Sequence, residues 1–152
     1  MTSDQVLIKL SSSVLSLDEA TQFTTLPECG AVSVFIGITR DNCNGKTVLH
    51  LEYEAYEAMA VKEIQKICDH MLKTWDVRRI AVFHRLGYVP ITEASVVIAV
   101  SSPHRKASLE AVEYCIDTLK ATVPIWKKEL YKEGDWIWKT NKECSWSKDA
   151  AS

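Results

Sequence analysis

The sequence is sparing with the residues that interrupt regular structure. It has four prolines and five glycines in 152 residues, so long helices and strands are expected in place of a loop-rich fold. It has five cysteines, Cys29, Cys43, Cys68, Cys115 and Cys144, but no Cys-x-x-Cys pair. An odd number at wide spacing argues against a disulfide framework and against a zinc site. The four histidines are equally scattered, and no metal is expected. The net charge is −2, without the basic excess of a general nucleic-acid binder, so any anion site must be local. The longest apolar run, 96–100, is far too short to cross a bilayer. The first ten residues carry no basic stretch leading into an apolar one, as a secretory signal would. These absences point to a cytosolic domain that binds neither nucleic acid nor membrane.

What is present is enough apolar material for a core: 47% of residues, ample at this length. Residues 5–10 alternate, placing Val6, Ile8 and Leu10 on one face of a strand. A short helix is expected over Leu17–Thr24, with Ser16 or Asp18 as its cap. Residues 31–39 and 48–56 read as strands, joined by a polar loop in which Asn44-Gly45 signals a turn. A helix over 57–75 buries Val61, Ile64, Cys68, Met71, Leu72 and Trp75. Strands follow at 79–86 and 94–101, the second apolar enough to lie centrally. A second long helix over 102–122 carries Leu109, Val112, Ile116 and Leu119 as its stripe and ends before Pro124. Short strands are expected at 125–131 and 136–139. The order reads as a single α+β domain over 1–140 with a polar tail at 141–152.

Three stretches carry chemistry. In Ser101-Ser-Pro-His-Arg-Lys106, Ser102 is a good cap and Pro103 suits the first helical position, which puts His104, Arg105 and Lys106 in the first turn. A helix start prefers acids, so a basic first turn makes sense where an anion sits; a solvated basic turn is the plain alternative. In the stretch from Leu119 to Glu129, Lys120 closes the helix, and strand alternation sends Lys127 and Lys128 to opposite faces, so that one can enter a site. Exposed strand lysines are the plain alternative. In Phe35-Ile-Gly-Ile-Thr-Arg40, Gly37 allows close backbone approach, and Arg40 is either an anion clamp or an ordinary strand-end arginine. Cys43, near Arg40 and Lys46, is the rival nucleophile. Cys68 and Cys115 read as buried and inert, and His84-Arg85 as structural.

Taken in order, Phe35-x-Gly37-x-x-Arg40, the segment Leu51-Glu-Tyr-Glu-Ala-Tyr56, His84-Arg85-x-Gly87, Ser102-x-His104-Arg105, and Leu119-Lys120 leading to Pro124-x-Trp126-Lys127-Lys128-Glu129 closely resemble the large subunit of molybdopterin synthase, over about residues 5–140. The resemblance implies an α/β hammerhead with added antiparallel strands. It implies a sulfurtransferase that converts cyclic pyranopterin monophosphate into the molybdopterin dithiolene. The sulfur arrives as a thiocarboxylate on the C-terminal Gly-Gly of a small ubiquitin-like partner, so no cofactor is implied. Two large subunits form the centre of a heterotetramer. Lys120 and Lys127 match the catalytic lysines, His104 and Arg105 the substrate-anion residues, Arg40 a pocket arginine, and Lys128 and Glu129 further substrate contacts. His104 and Lys120 stand ~24 Å apart along one helix at its usual rise. One small substrate reaches both only if two subunits contribute opposite helix ends. Rival readings are a pure binding module for a ubiquitin-like tail, a sulfurtransferase using Cys43, and an acyltransferase. The last lacks a glycine-rich phosphate loop.

Overall fold

A computed structural model describes residues 2–132, 134 and 136–140, the last five as backbone. The tail at 141–152 lies outside the described residues. Within them are three helices and nine strands. Strand β1 (Val6–Ser11) is followed by helix α1 (Leu17–Thr24), whose Ser16 hydroxyl accepts from the Glu19 amide at 3.1 Å, as a capping serine should. Strand β2 (Ala31–Ile38) leads into the hairpin of β3 (Asn42–Cys43) and β4 (Lys46–Ala55). Its two-residue turn needs positive φ, which Asn44 (55°) and Gly45 (79°) adopt. Helix α2 (Glu57–Thr74), strand β5 (Arg79–Arg85), strand β6 (Gly87–Pro90), strand β7 (Ala94–Ser102), helix α3 (Arg105–Thr122), strand β8 (Ile125–Tyr131) and strand β9 (Trp136–Thr140) complete the order.

The strands form two sheets. The first runs β1-β5-β7-β2, with β1 parallel to β5 and the other pairs antiparallel. The almost wholly apolar β7 is central, as its sequence implies. The second runs β3-β4-β8-β9, and β6 also pairs with β4. The main core fills the space between the sheets and α2 and α3, with Ile64, Met71, Ile80, Ile98 and Leu119 at 1% exposure or less. A smaller core under α1 holds Leu7, Phe83 and Val97. Strand β1 is therefore buried on both faces at Val6, Leu7 and Ile8, not on one face as its alternation suggested. Among the described residues, no helix is long and apolar enough to cross a membrane.

Helix α3 departs from its sequence reading in two ways. Ser102 ends β7, Pro103 lies before the helix, and His104 is the cap residue with no side-chain capping bond. Only Arg105 and Lys106 therefore enter the first turn. The Ser102 hydroxyl instead bridges the bend, donating to the His104 carbonyl and accepting from the Ser108 amide at 3.2 Å. The buried stripe is Ser108, Ala111, Val112, Cys115, Ile116 and Leu119, while Leu109 is 57% exposed. Small residues face the sheet, so helix and strand approach closely, and the Ser33 and Ser108 hydroxyls meet at 2.7 Å.

Candidate active site

A cavity of about 440 Å³ opens where the end of the first sheet meets the second. Five elements supply the side chains that matter most. The end of β2 and the following Thr39 and Arg40 form one wall. Leu51 and Tyr53 of β4 form the floor with Ser95 of β7. Lys120 enters from the last turn of α3, and Lys127 and Glu129 enter from β8.

Each side chain arrives for a local reason. Gly37 is required because a Cβ there would lie 2.6 Å from the Val96 Cγ1. Next to it the β2–β7 register slips, pairing Gly37 with Val96 and Ile38 with Ala94, so Ser95 is the extra residue of a bulge. The bulge directs the Ser95 hydroxyl toward the Gly37 carbonyl and Tyr53. Alternation along β8 buries Lys127, Glu129 and Tyr131 together and turns Lys128 to the other face. Lys120 stands at the helix C-terminus, where the dipole welcomes a cation.

The electrostatics behind the lysines are ordered. The Lys127 amine lies 3.8 Å from a Glu129 carboxylate oxygen, and both side chains are under 10% exposed. The other Glu129 oxygen accepts from the Tyr131 hydroxyl at 2.6 Å. A buried ammonium needs such an opposite charge. Burial, then the bond to and charge of Glu129, push the Tyr131 hydroxyl well above its usual pKa, so it stays a donor. Tyr53 is also pushed up, by burial first and the Glu129 charge less, with its bond to Ser95 opposing. His84 packs edge-on against Tyr53 at 4.9 Å between ring centroids. Its Nδ1 lies 2.8 Å from the Arg85 carbonyl, which can only accept, so Nδ1 carries the proton. Burial lowers its pKa to about 4; the Arg85 bond opposes this and the Lys120 charge adds to it. A neutral imidazole and two protonated phenols thus lie behind a cationic cavity.

The structure brings together Arg40, Lys120, Lys127 and Glu129 of the sequence-derived set. It does not bring in Lys128, which lies outside the cavity lining. His104 borders a separate cleft of about 320 Å³ with Trp75 and Glu110. Arg105 is exposed at the first residue of α3, the end opposite Lys120. Sequence reasoning missed Thr39, Tyr53, Ser95 and Tyr131. These neutral residues carry no charge pattern to mark them, although Thr39 adjoins Arg40 and Tyr53 lies in a segment already singled out. Cys43 is 2% exposed and is not among the free thiols, which among the described residues are Cys29, Cys68 and Cys115. Burial pushes the Cys68 thiol up to about 12 and raises Cys115 well above its usual value, so both are inert. Among the described residues, no three His, Cys, Asp or Glu side chains cluster as a metal site would require.

The sequence profile of the MoaE protein family matches residues 10–122. The molybdopterin synthase catalytic subunit of Bos taurus is 62% identical over 141 residues, which cover 93% of this chain and 75% of that protein. The human catalytic subunit is 57% identical, with 95% and 76% covered. The crystal structure of molybdopterin synthase from Staphylococcus aureus superposes with a TM-score of 0.80 at 35% identity, covering 91% of this chain and 98% of that one. A complex of subunits 1 and 2 of the molybdopterin-converting factor from Helicobacter pylori matches with a TM-score of 0.71 at 25% identity, covering 91% and 92%. The chain belongs to the MoaE family, the catalytic subunits of molybdopterin synthase.

Proposed function

We propose that the 440 Å³ cavity is where sulfur passes from the thiocarboxylate tail of a small ubiquitin-like partner to cyclic pyranopterin monophosphate. The observation that carries this reading is the convergence of Lys120, from the end of α3, and Lys127, from β8, with Arg40 on one cavity. The solved complex of the two converting-factor subunits from Helicobacter pylori supports a small-subunit partner here. The thiocarboxylate sulfur bonds to the pterin side chain and displaces an oxygen, leaving a thioester. Lys127 and Lys120 face its carbonyl and stabilise the oxyanion formed when water adds to it. That addition breaks the acyl C–S bond, leaves the sulfur on the pterin and releases the tail as a carboxylate. Glu129 holds Lys127 in place. Arg40 binds the phosphate by charge-assisted bonds. The sulfur comes from the partner, so the reaction draws on no cysteine, metal or cofactor of this chain. The setting is the cytosol.

His104 and Arg105 enter the same scheme from a second large subunit, inside a heterotetramer. Within one chain α3 separates them from Lys120 by ~24 Å at the helical rise. In a dimer the start of one α3 completes the cavity at the end of the other. Lys128 faces away from the cavity and has no assigned contact in this scheme.

The test is a reconstituted assay with cyclic pyranopterin monophosphate and thiocarboxylated small partner, with each lysine replaced in turn. Lys120→Ala and Lys127→Ala are expected to abolish molybdopterin formation. Normal turnover in either variant removes that residue from the mechanism. A pure binding role for the chain is separated by direct pterin binding, which a module that only holds the tail would lack.

A further inference from the structure

Thr39 stands directly after β2 in the wall of the cavity. Its backbone is fully used: the amide donates to the Glu93 carbonyl at 3.1 Å, and its carbonyl accepts from the Thr92 amide at 2.9 Å. The residue is 3% exposed, and its hydroxyl has no hydrogen-bond partner among the described residues. Buried serine hydroxyls elsewhere in the same sheet are satisfied. Ser33 meets Ser108, Ser102 bridges the α3 bend, and Ser95 reaches the Gly37 carbonyl. A valine has the same branched shape and would avoid the cost of an orphaned polar group. The hydroxyl is therefore a feature the fold alone does not use, and the residue that carries it lines the cavity shared with Lys120 and Lys127.

We propose that the Thr39 hydroxyl is a binding group of this cavity, hydrogen-bonded to a neutral amide of a bound reactant. This rests on the reading of the cavity given above. A hydroxyl both donates and accepts without charge, which suits an amide. The phosphate is better matched to the cationic groups beside it. Both reactants of that reading carry amides, the peptide tail in its backbone and the pterin in its ring lactam. The two sources are separable by experiment.

The experiment compares wild type, Thr39→Val and Thr39→Ser in the reconstituted synthase, with Lys120→Ala in parallel. Cyclic pyranopterin monophosphate is titrated at saturating thiocarboxylated partner, and the partner at saturating pterin. Thermal midpoints are taken on the same samples. Thr39→Val is expected to raise one KM about 5- to 10-fold, the loss of one ligand hydrogen bond, with a thermal midpoint no lower than wild type. Thr39→Ser, which restores a hydroxyl, is expected to bring that KM back toward wild type. A rise confined to the pterin KM assigns the bond to the ring lactam, and a rise confined to the partner KM assigns it to the tail. Both KM values within twofold of wild type overturn the proposal, as does a lowered midpoint, which would make the hydroxyl structural. Normal turnover by Lys120→Ala instead overturns the catalytic reading of the cavity, whichever way the Thr39 titrations fall.

Discussion

His84 offers a quantitative test of the electrostatics behind the lysines. The side chain is 1% exposed and its pKa is lowered from 6.5 to about 4. The folded protein therefore resists protonation that the unfolded chain accepts. The stability tied to a neutral His84 is fully present above the unfolded value and is lost as pH falls toward the folded one. Between pH 7 and pH 5, a shift from 6.5 to about 4 corresponds to a loss of about 2 kcal/mol. That window lies above the ordinary carboxylate range, so acid groups contribute little. Urea unfolding at pH 7 and pH 5, on wild type and His84→Gln, measures the difference. Wild type is expected to lose about 2 kcal/mol more than the variant across that interval. Equal losses in the two proteins would refute the reasoning, as would an imidazole NMR titration of His84 centred near its unperturbed value.

Three further outcomes follow from the same geometry. Mixing Lys120→Ala subunits with Arg105→Ala subunits is expected to restore activity in the mixed dimer, because one intact site forms from the two good helix ends; no recovery in the assay rejects sharing. Gly37→Ala is expected to cost about 1–3 kcal/mol in urea unfolding, as overpacking does, because the new methyl meets Val96 at 2.6 Å. Glu129→Gln removes the negative charge 3.8 Å from the Lys127 amine and leaves only a neutral amide oxygen to accept from Tyr131. It is expected to lower the thermal midpoint and reduce turnover, and an unchanged value of both would show that the pair does not matter.

Much of the architecture was legible because the period of apolar residues reports burial directly. The stretch Leu17–Thr24 and the strand Ile125–Tyr131 occur where the sequence puts them, since a serine cap and a clean alternation are local signals. Strand β6 was missed. Gly87 to Pro90 is short and half exposed, and its pairing with β4 is settled by the partner strand rather than by its own residues. Leu109 was misplaced because large apolar residues were taken to mark the buried side of α3, whereas the side that meets the sheet is built from Ser108, Ala111 and Cys115. The site divided along similar lines. Charged residues at the junctions of elements, such as Arg40, Lys120 and Lys127, stand out in a sequence because charge is costly to bury. Thr39 and Tyr53 do not stand out, because a neutral residue acquires a role only from what the fold sets beside it.

The two lysines are not equivalent in this setting, and the difference bears on how the site works. Lys127 is buried beside Glu129, whose second oxygen is fixed by Tyr131. Its position is thus held by a chain of groups on one strand, and strand spacing leaves it little freedom. Lys120 projects from the last turn of a helix, and its charge is felt by a His84 that burial keeps neutral. A neutral imidazole and two protonated phenols add dipoles without adding a competing negative charge. In the reading proposed above, an incoming carbonyl oxygen meets the Lys127 ammonium beside the Glu129 carboxylate and the Lys120 ammonium at the helix end. In that reading Lys127, held within its strand by Glu129, fixes where the oxygen sits. Preorganised charge of this kind acts without reorganisation when the reaction occurs. On this argument Lys127→Arg, whose larger fork must be accommodated at a buried position beside Glu129, is expected to lose more turnover in the reconstituted assay than Lys120→Arg at the helix end, and equal losses would reject it.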